Sequence, residues 1–264
     1  MSCKLWTLLL VISLNGFCQV SFEEYYNGNK ILIGEDLTYV VKYAFFRLGE
    51  VRIKVTEKTE IENVIVYKTV AYIDSYPDLP FVSIHQVYES YIDSSYFPLK
   101  FHANLISDDT TFVRYSFIKD SLIEMQKGKL NSTQLWLDST QVVDKRLQDG
   151  LSILFYARMN FRKDKKIYVP CFVNEKEEYA KMNYFDKNEP IEIDALDYEI
   201  DCLRLNGETD FVSVYGLTGY FEGWFSNDTF SVPIIAKMQV MIGSVTLELI
   251  KWNEELWNPP HYVN

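Results

Sequence analysis

The chain has 264 residues, 48% hydrophobic and 16% aromatic, with only 11 Gly and 8 Pro. That much apolar side chain can offset the entropy of ordering the chain, which excludes disorder, and Gly and Pro are too few for a collagen-like or low-complexity architecture. The net charge of −11 comes without any cluster of Lys and Arg, so nucleic acid, whose counterions such a cluster would displace, is excluded as a partner.

Residues 1–18, MSCKLWTLLLVISLNGFC, have the form of a signal peptide. Lys4 supplies the positive start, Leu5 to Leu14 the apolar run, and Gly16 and Cys18 the small residues before a cut ahead of Gln19. A membrane-spanning helix needs about 20 apolar residues, and Asn15 and Gly16 end this run first. No later stretch is long and apolar enough to span a bilayer. The competing reading is lipid attachment at Cys18, although Asn15 and Phe17 depart from the pattern it requires. Both readings direct the protein out of the cytoplasm, to the periplasm or the medium. Cleavage leaves one β-rich domain over residues 19–264 and two cysteines, Cys171 and Cys202. Both fall in predicted strands, and an exported chain permits either a disulfide or two buried thiols.

Beyond residue 34 the apolar residues recur with the period of two that marks strands. Val51, Ile53 and Val55 alternate with Arg52, Lys54 and Thr56. The segment Val64 to Ile73 is apolar on both faces, as expected of a covered strand. Val113, Tyr115 and Phe117 alternate with Arg114 and Ser116. Ile234, Ala236, Met238 and Val240 precede a turn at Gly243-Ser244, followed by Val245, Leu247 and Leu249. Roughly a dozen such segments are separated by turn signals at Asp108-Asp109, Lys127-Gly128, Asn174 to Glu177, Lys187 to Pro190 and Asn206-Gly207. Short links favour antiparallel neighbours.

One segment differs. Leu147, Leu151, Leu154 and Phe155 follow helical spacing, with Asp149 as N-cap and Arg158 near the C-terminus, predicting one helix of about 11 residues. The fold class is therefore mainly β: a curved antiparallel sheet or open β-barrel with one packed helix, serving as a lid, a plug or a connector.

No reactive constellation emerges. His85, His102 and His261 accompany no G-x-S-x-G elbow. There is no H-E-x-x-H or C-x-x-C for a metal, and no Gly-rich loop follows a strand to cradle a nucleotide. The acidic residues read as solvated turns and edge protection. These patterns predict neither catalytic residues, nor a metal, nor a cofactor. Aromatic residues crowd Tyr39 to Phe46 and Tyr220 to Phe225, which suits a packed β core and equally an apolar cavity in a curved sheet.

Several short blocks stand out: Gly34 to Tyr39, Leu48-Gly49-Glu50, Tyr91-Ile92-Asp93 with Phe97-Pro98, Asp149 to Leu154 with Arg158, and Gly223 to Asp228 with Val232-Pro233. In order and spacing they resemble domain-of-unknown-function family 3108, a family of exported bacterial proteins. The resemblance implies an exported, β-rich domain without an assigned activity. It is also similar in architecture to periplasmic lipoprotein carriers, which wrap a curved sheet around an apolar cavity.

The expected function is that of a non-enzymatic envelope protein binding a lipid or another hydrophobic or amphipathic ligand. Arg158, Trp224, Tyr43 and Phe155 are the candidate binding residues. The alternative is a structural or protein-interaction module with a fully packed core.

Overall fold

The computed structural model describes residues 31–79, 83–209, 211, 219–239 and 243–263. The predicted signal peptide, residues 1–18, and Val240 lie outside them. Fourteen strands and one helix follow in chain order. The first eight strands are β1 (Asp36–Tyr43), β2 (Phe46–Ile61), β3 (Val64–Ser75), β4 (His85–Asp93), β5 (Pro98–Leu105), β6 (Thr111–Ile118), β7 (Leu122–Lys129) and β8 (Leu135–Val142). The helix α1 (Ser152–Arg158) leads to β9 (Lys165–Val173), β10 (Lys176–Ile191), β11 (Ile200–Thr209), β12 (Gly219–Ser226), β13 (Pro233–Gln239) and β14 (Ser244–Lys251).

All fourteen strands belong to one antiparallel sheet in the order β8-β7-β6-β5-β4-β3-β2-β1-β14-β13-β12-β11-β10-β9. Two meanders, β1–β8 and β9–β14, are thus joined where the first strand pairs with the last, with Tyr39 opposite Leu249 and Val41 opposite Leu247. The sheet curls without closing into a barrel, because edge strands β8 and β9 do not pair with each other.

The segment between β8 and α1 fills that gap. Val143 N–H bonds the Ser121 carbonyl at 2.9 Å, and Gln148 bridges β9 through N–H to Pro170 O at 2.9 Å and O to Phe172 N–H at 2.7 Å. Side chains complete the seam. The Phe172 ring meets Tyr115 edge-on at 5.1 Å, Tyr115 Oη donates to Glu175 at 3.2 Å, and Lys145 pairs with Glu177 at 2.7 Å.

The helix lies inside this curved sheet and divides its interior. Leu147, Leu151 and Phe155 pack with the larger core, among Tyr88, Phe101, Tyr115 and Phe172. Ala157, with Ile153, faces a second cluster built from Val169, Cys171, Ala180, Met182, Leu205 and Phe225. At 7 residues α1 is shorter than predicted, although Ile153 N–H still reaches the Asp149 carbonyl at 3.3 Å, so the first turn begins near the predicted cap.

Three predicted turns are strand interior. Lys187 to Pro190 lies within β10, where the pairing with β11 shifts register between Tyr184 and Asn188. Lys127-Gly128 is a register shift within β7. Asn206-Gly207 lies in the middle of β11, where a Cβ on Gly207 would stand 2.4 Å from the Phe221 ring and 2.1 Å from the Lys181 carbonyl oxygen. Glycine is present there because a neighbouring ring lies over the backbone, a role that strand glycines recurrently take.

Candidate functional site

Small residues make the interior incomplete on the C-terminal side. Inward positions of β10, β12 and β13 hold Ala180, Gly223 and Ala236, with Gly223 directly opposite Leu205 on one side and Ala236 on the other. Interiors pack to crystal-like density, so several small side chains on neighbouring strands leave space unless a larger group crosses to fill it. The helix does not fill it here. A cavity of about 180 Å³ remains between α1 and β9–β13, walled by Gly150, Ile153, Leu154 and Ala157 from the helix segment and by Met182, Phe221 and Phe225 from the sheet. Tyr39, Val51, Ile53 and Leu247 close its far side. At the end where β11 leads to β12, the cavity reaches Thr209, Phe211, Gly219 and Tyr220.

The polar groups on this wall are few, and their bonding is turned elsewhere. Tyr39 Oη donates to the Pro233 carbonyl at 2.9 Å, and Glu222 accepts from Arg204 at 3.0 Å. Asp149 is fully buried. Its Oδ1 accepts the Leu151 and Ser152 amides at 2.7 and 2.6 Å, and its Oδ2 accepts the Ser90 hydroxyl at 2.5 Å. Ser152 Oγ in turn accepts the Asp149 N–H at 2.9 Å and donates to Gln148 Oε1 at 2.7 Å. These bonds satisfy the Leu151 and Ser152 amides where the helix begins, although the cap position itself is Leu151, without a side-chain cap bond, rather than the predicted Asp149. Burial pushes its carboxyl up to about 6, and the bonds from Ser152, Ser90 and Leu151 only partly oppose that. An apolar wall thus carries one titratable group poised near neutrality.

The four candidate residues from the sequence take other places. Arg158 is 1% exposed and forks onto Glu35, 4% exposed, through two bonds of 2.8 Å, while its Nε donates to the Phe230 carbonyl at 3.0 Å. Burial works against its charge, but Glu35 prevails and holds the guanidinium above its ordinary pKa. Arg158 therefore ties the helix end to the turn preceding β1 rather than facing the cavity. Phe155 packs in the larger core. Trp224 lies on the other face of β12, its Nε1 donating to Glu189 at 2.8 Å. Tyr43 stands at the end of β1 beside Gly243. None of the four lines the cavity.

Cys171 and Cys202 are both buried free thiols. The register explains why the disulfide reading fails: Cys171 is opposite Glu178 on β10, Cys202 is opposite Glu189, and the two belong to separate core clusters. A full strand stands between them, wider than a disulfide spans.

Asp228 builds the corner after β12. Asp228 Oδ1 accepts the Phe230 and Ser231 amides at 2.8 and 2.9 Å, and its Oδ2 accepts Trp257 Nε1 at 2.7 Å. Of the histidines, His85 meets Asp74 in the open, and His261 stacks on Tyr198 at 3.7 Å. Among the described residues no group of three or more His, Cys, Asp or Glu is placed to hold a metal, and no helix is long and apolar enough to cross a membrane.

The fold and site define a β-barrel-like protein, an open curled sheet around a buried helix with an apolar cavity beside it. A crystal structure of a β-barrel-like protein of domain of unknown function DUF1849 from Brucella abortus is similar in fold. Its TM-score is 0.52 at 10% identity, over 86% of this chain and 99% of that one. A protein described as a putative lipoprotein from Parabacteroides distasonis aligns with a TM-score of 0.35 at 10% identity, over 84% and 96% of the two chains. The family model of DUF3108, proteins of unknown function, matches residues 38–250, and the chain belongs to that family. Among curated proteins, none matches it.

Proposed function

We propose that this is a non-enzymatic, exported envelope protein that binds the apolar part of a hydrophobic or amphipathic ligand between α1 and β9–β13. The observation that carries the reading is the apolar cavity of about 180 Å³. Its size constrains the ligand. A dry engineered cavity of roughly 150 Å³ accommodates benzene, whereas pockets for whole drug-sized molecules run from about 300 to 1,000 Å³. The cavity suits a ring or a stretch of acyl chain, with the polar remainder left outside at the rim. The signal-peptide form of residues 1–18, with a cut after Cys18 or a lipid on it, supports the periplasm or the medium as the place of action.

Two measurements test the reading. Native mass spectrometry of gently purified protein should show a bound lipid mass, and a fluorescent fatty acid should be taken up with saturation. Ala236→Leu, which adds three carbons to the cavity wall, should lower uptake while leaving the fold intact by circular dichroism. A clean apo mass with no fatty-acid uptake refutes the proposal and favours the packed interaction module.

A further inference from the structure

The sheet has two unlike rims. One, the upper rim, holds the turns β1–β2, β3–β4, β5–β6 and β7–β8 of the first meander. Each carries an exposed large apolar side chain: Phe45 and Phe46, Ile84, Ile106 and Leu130, at 84%, 57%, 42%, 39% and 43% exposure. The turns of the same strands on the other rim are polar at their tips, Glu62-Asn63, Ser94-Ser95 and Lys119-Asp120, although Val64 and Ile65 beside the first of them and Val142 at the end of β8 are exposed there. Strands lie about 4.8 Å apart, so successive upper turns follow one another at roughly 10 Å, a row of about 30 Å in all. Exposed apolar residues are unremarkable singly. One at every turn of one rim, and at that rim where the cavity also ends, calls for an explanation.

We propose that this upper rim docks on a lipid bilayer, seating its apolar turns in the interfacial region. The spacing favours a bilayer over a protein. A protein interface buries a contiguous apolar core, whereas separate tips along one edge can all enter a plane together. Phe45 and Phe46, their ring centroids 4.3 Å apart, form the largest of these tips. They stand at the β1–β2 turn, next to β14 and β13 and so beside the cavity, whose wall reaches Met238 near the end of β13. The charge near the rim does not supply the attraction: Asp74, Asp108 and Asp109 accompany Arg47 and Lys129, in a chain of net charge −11. Docking is therefore driven by apolar contact, without preference for anionic lipid. The direction of docking rests on the cavity reading above, because a bilayer is the source and sink of acyl chains.

The test is flotation of the purified full-length mature protein with phosphatidylcholine vesicles. The wild type should float, and added salt or anionic lipid should not increase the bound fraction. Phe45→Ser/Phe46→Ser should weaken partitioning at least ~10-fold, the loss of roughly 1.4 kcal/mol, and Ile84→Ser/Ile106→Ser/Leu130→Ser should weaken it as well. Val64→Ser/Ile65→Ser, on the opposite rim, should float as the wild type does. All these positions are exposed, so circular dichroism should show unchanged folding. A wild type that does not float overturns the proposal, as does equal loss in the opposite-rim variant. Self-association that depends on Phe45 and Phe46, without flotation, overturns it in favour of a second copy as the partner. Fatty-acid uptake measured on the same samples separates the two readings: a protein that floats but takes up no fatty acid upholds docking and refutes the cavity ligand.

Discussion

Asp149 offers the sharpest test of the interior. Its carboxyl is fully buried, accepts the Leu151 and Ser152 amides and the Ser90 hydroxyl, and burial raises its pKa from 3.8 to about 6. Below about pH 3 the group is protonated in both folded and unfolded chains. As pH rises toward 6 the unfolded chain releases its proton first, so the folded state binds more protons and loses stability. Two units at about 1.36 kcal/mol each amount to a loss of about 3 kcal/mol across that window. Asp149→Asn removes the titration but keeps the geometry, since Oδ1 can accept both amides and Nδ2 can donate to Ser90 Oγ. Urea denaturation at about pH 4 and about pH 7 should therefore show the variant gaining about 2 kcal/mol relative to the wild type between the two. Carboxylates held low, Asp36 by Arg52 and Asp194 by Lys42, contribute equally to both proteins and cancel in the comparison. Parallel stability curves would refute the argument and place Asp149 in water.

The Arg158–Glu35 pair should behave as a buried ion pair. Arg158→Met alone strands the Glu35 carboxylate and should cost about 3–5 kcal/mol in urea denaturation, whereas Arg158→Met with Glu35→Leu should recover most of that loss. A single-variant cost under about 1 kcal/mol would mean the pair is solvated. Cys171 and Cys202 should resist a thiol reagent in the native protein and react once it is unfolded in denaturant. Burial pushes the Cys171 thiol up to about 12 and raises Cys202 as well, and a thiolate is the reactive form. Rapid native labelling of either would contradict the packing.

Much of the fold was legible because burial writes a period into the chain. Val51, Ile53 and Val55 alternate with exposed neighbours since one face of β2 meets the core, and the stripe of Leu147, Leu151 and Phe155 survives although the helix is shorter. What could not be read depends on partners distant in sequence. Asn206-Gly207 resembles a turn until Phe221 is known to lie over it. Arg158 resembles a ligand-orienting group until Glu35, 123 residues away, is placed beside it. An acidic residue next to Gly34 at a turn, in a chain with one Arg on an apolar helix, was the available hint. The cavity was the least visible feature. Alternation tells which side chains face inward, but not that Gly223 and Ala236 fall opposite one another on adjacent strands, which only register decides.

The pairing of β1 with β14 places the first and last strands at the middle of the sheet rather than at its margins. Before β14 exists, β1 and the meander it belongs to present an unsatisfied edge, and edges of this kind recruit other chains. Each meander can form from local hairpins, but their union waits for contacts about 200 residues apart in sequence, the slow class of folding event. The arrival of β14 is what ends the interval of exposed edge. A chain of this topology gains most from being held unpaired, away from its own copies, until synthesis has delivered that strand.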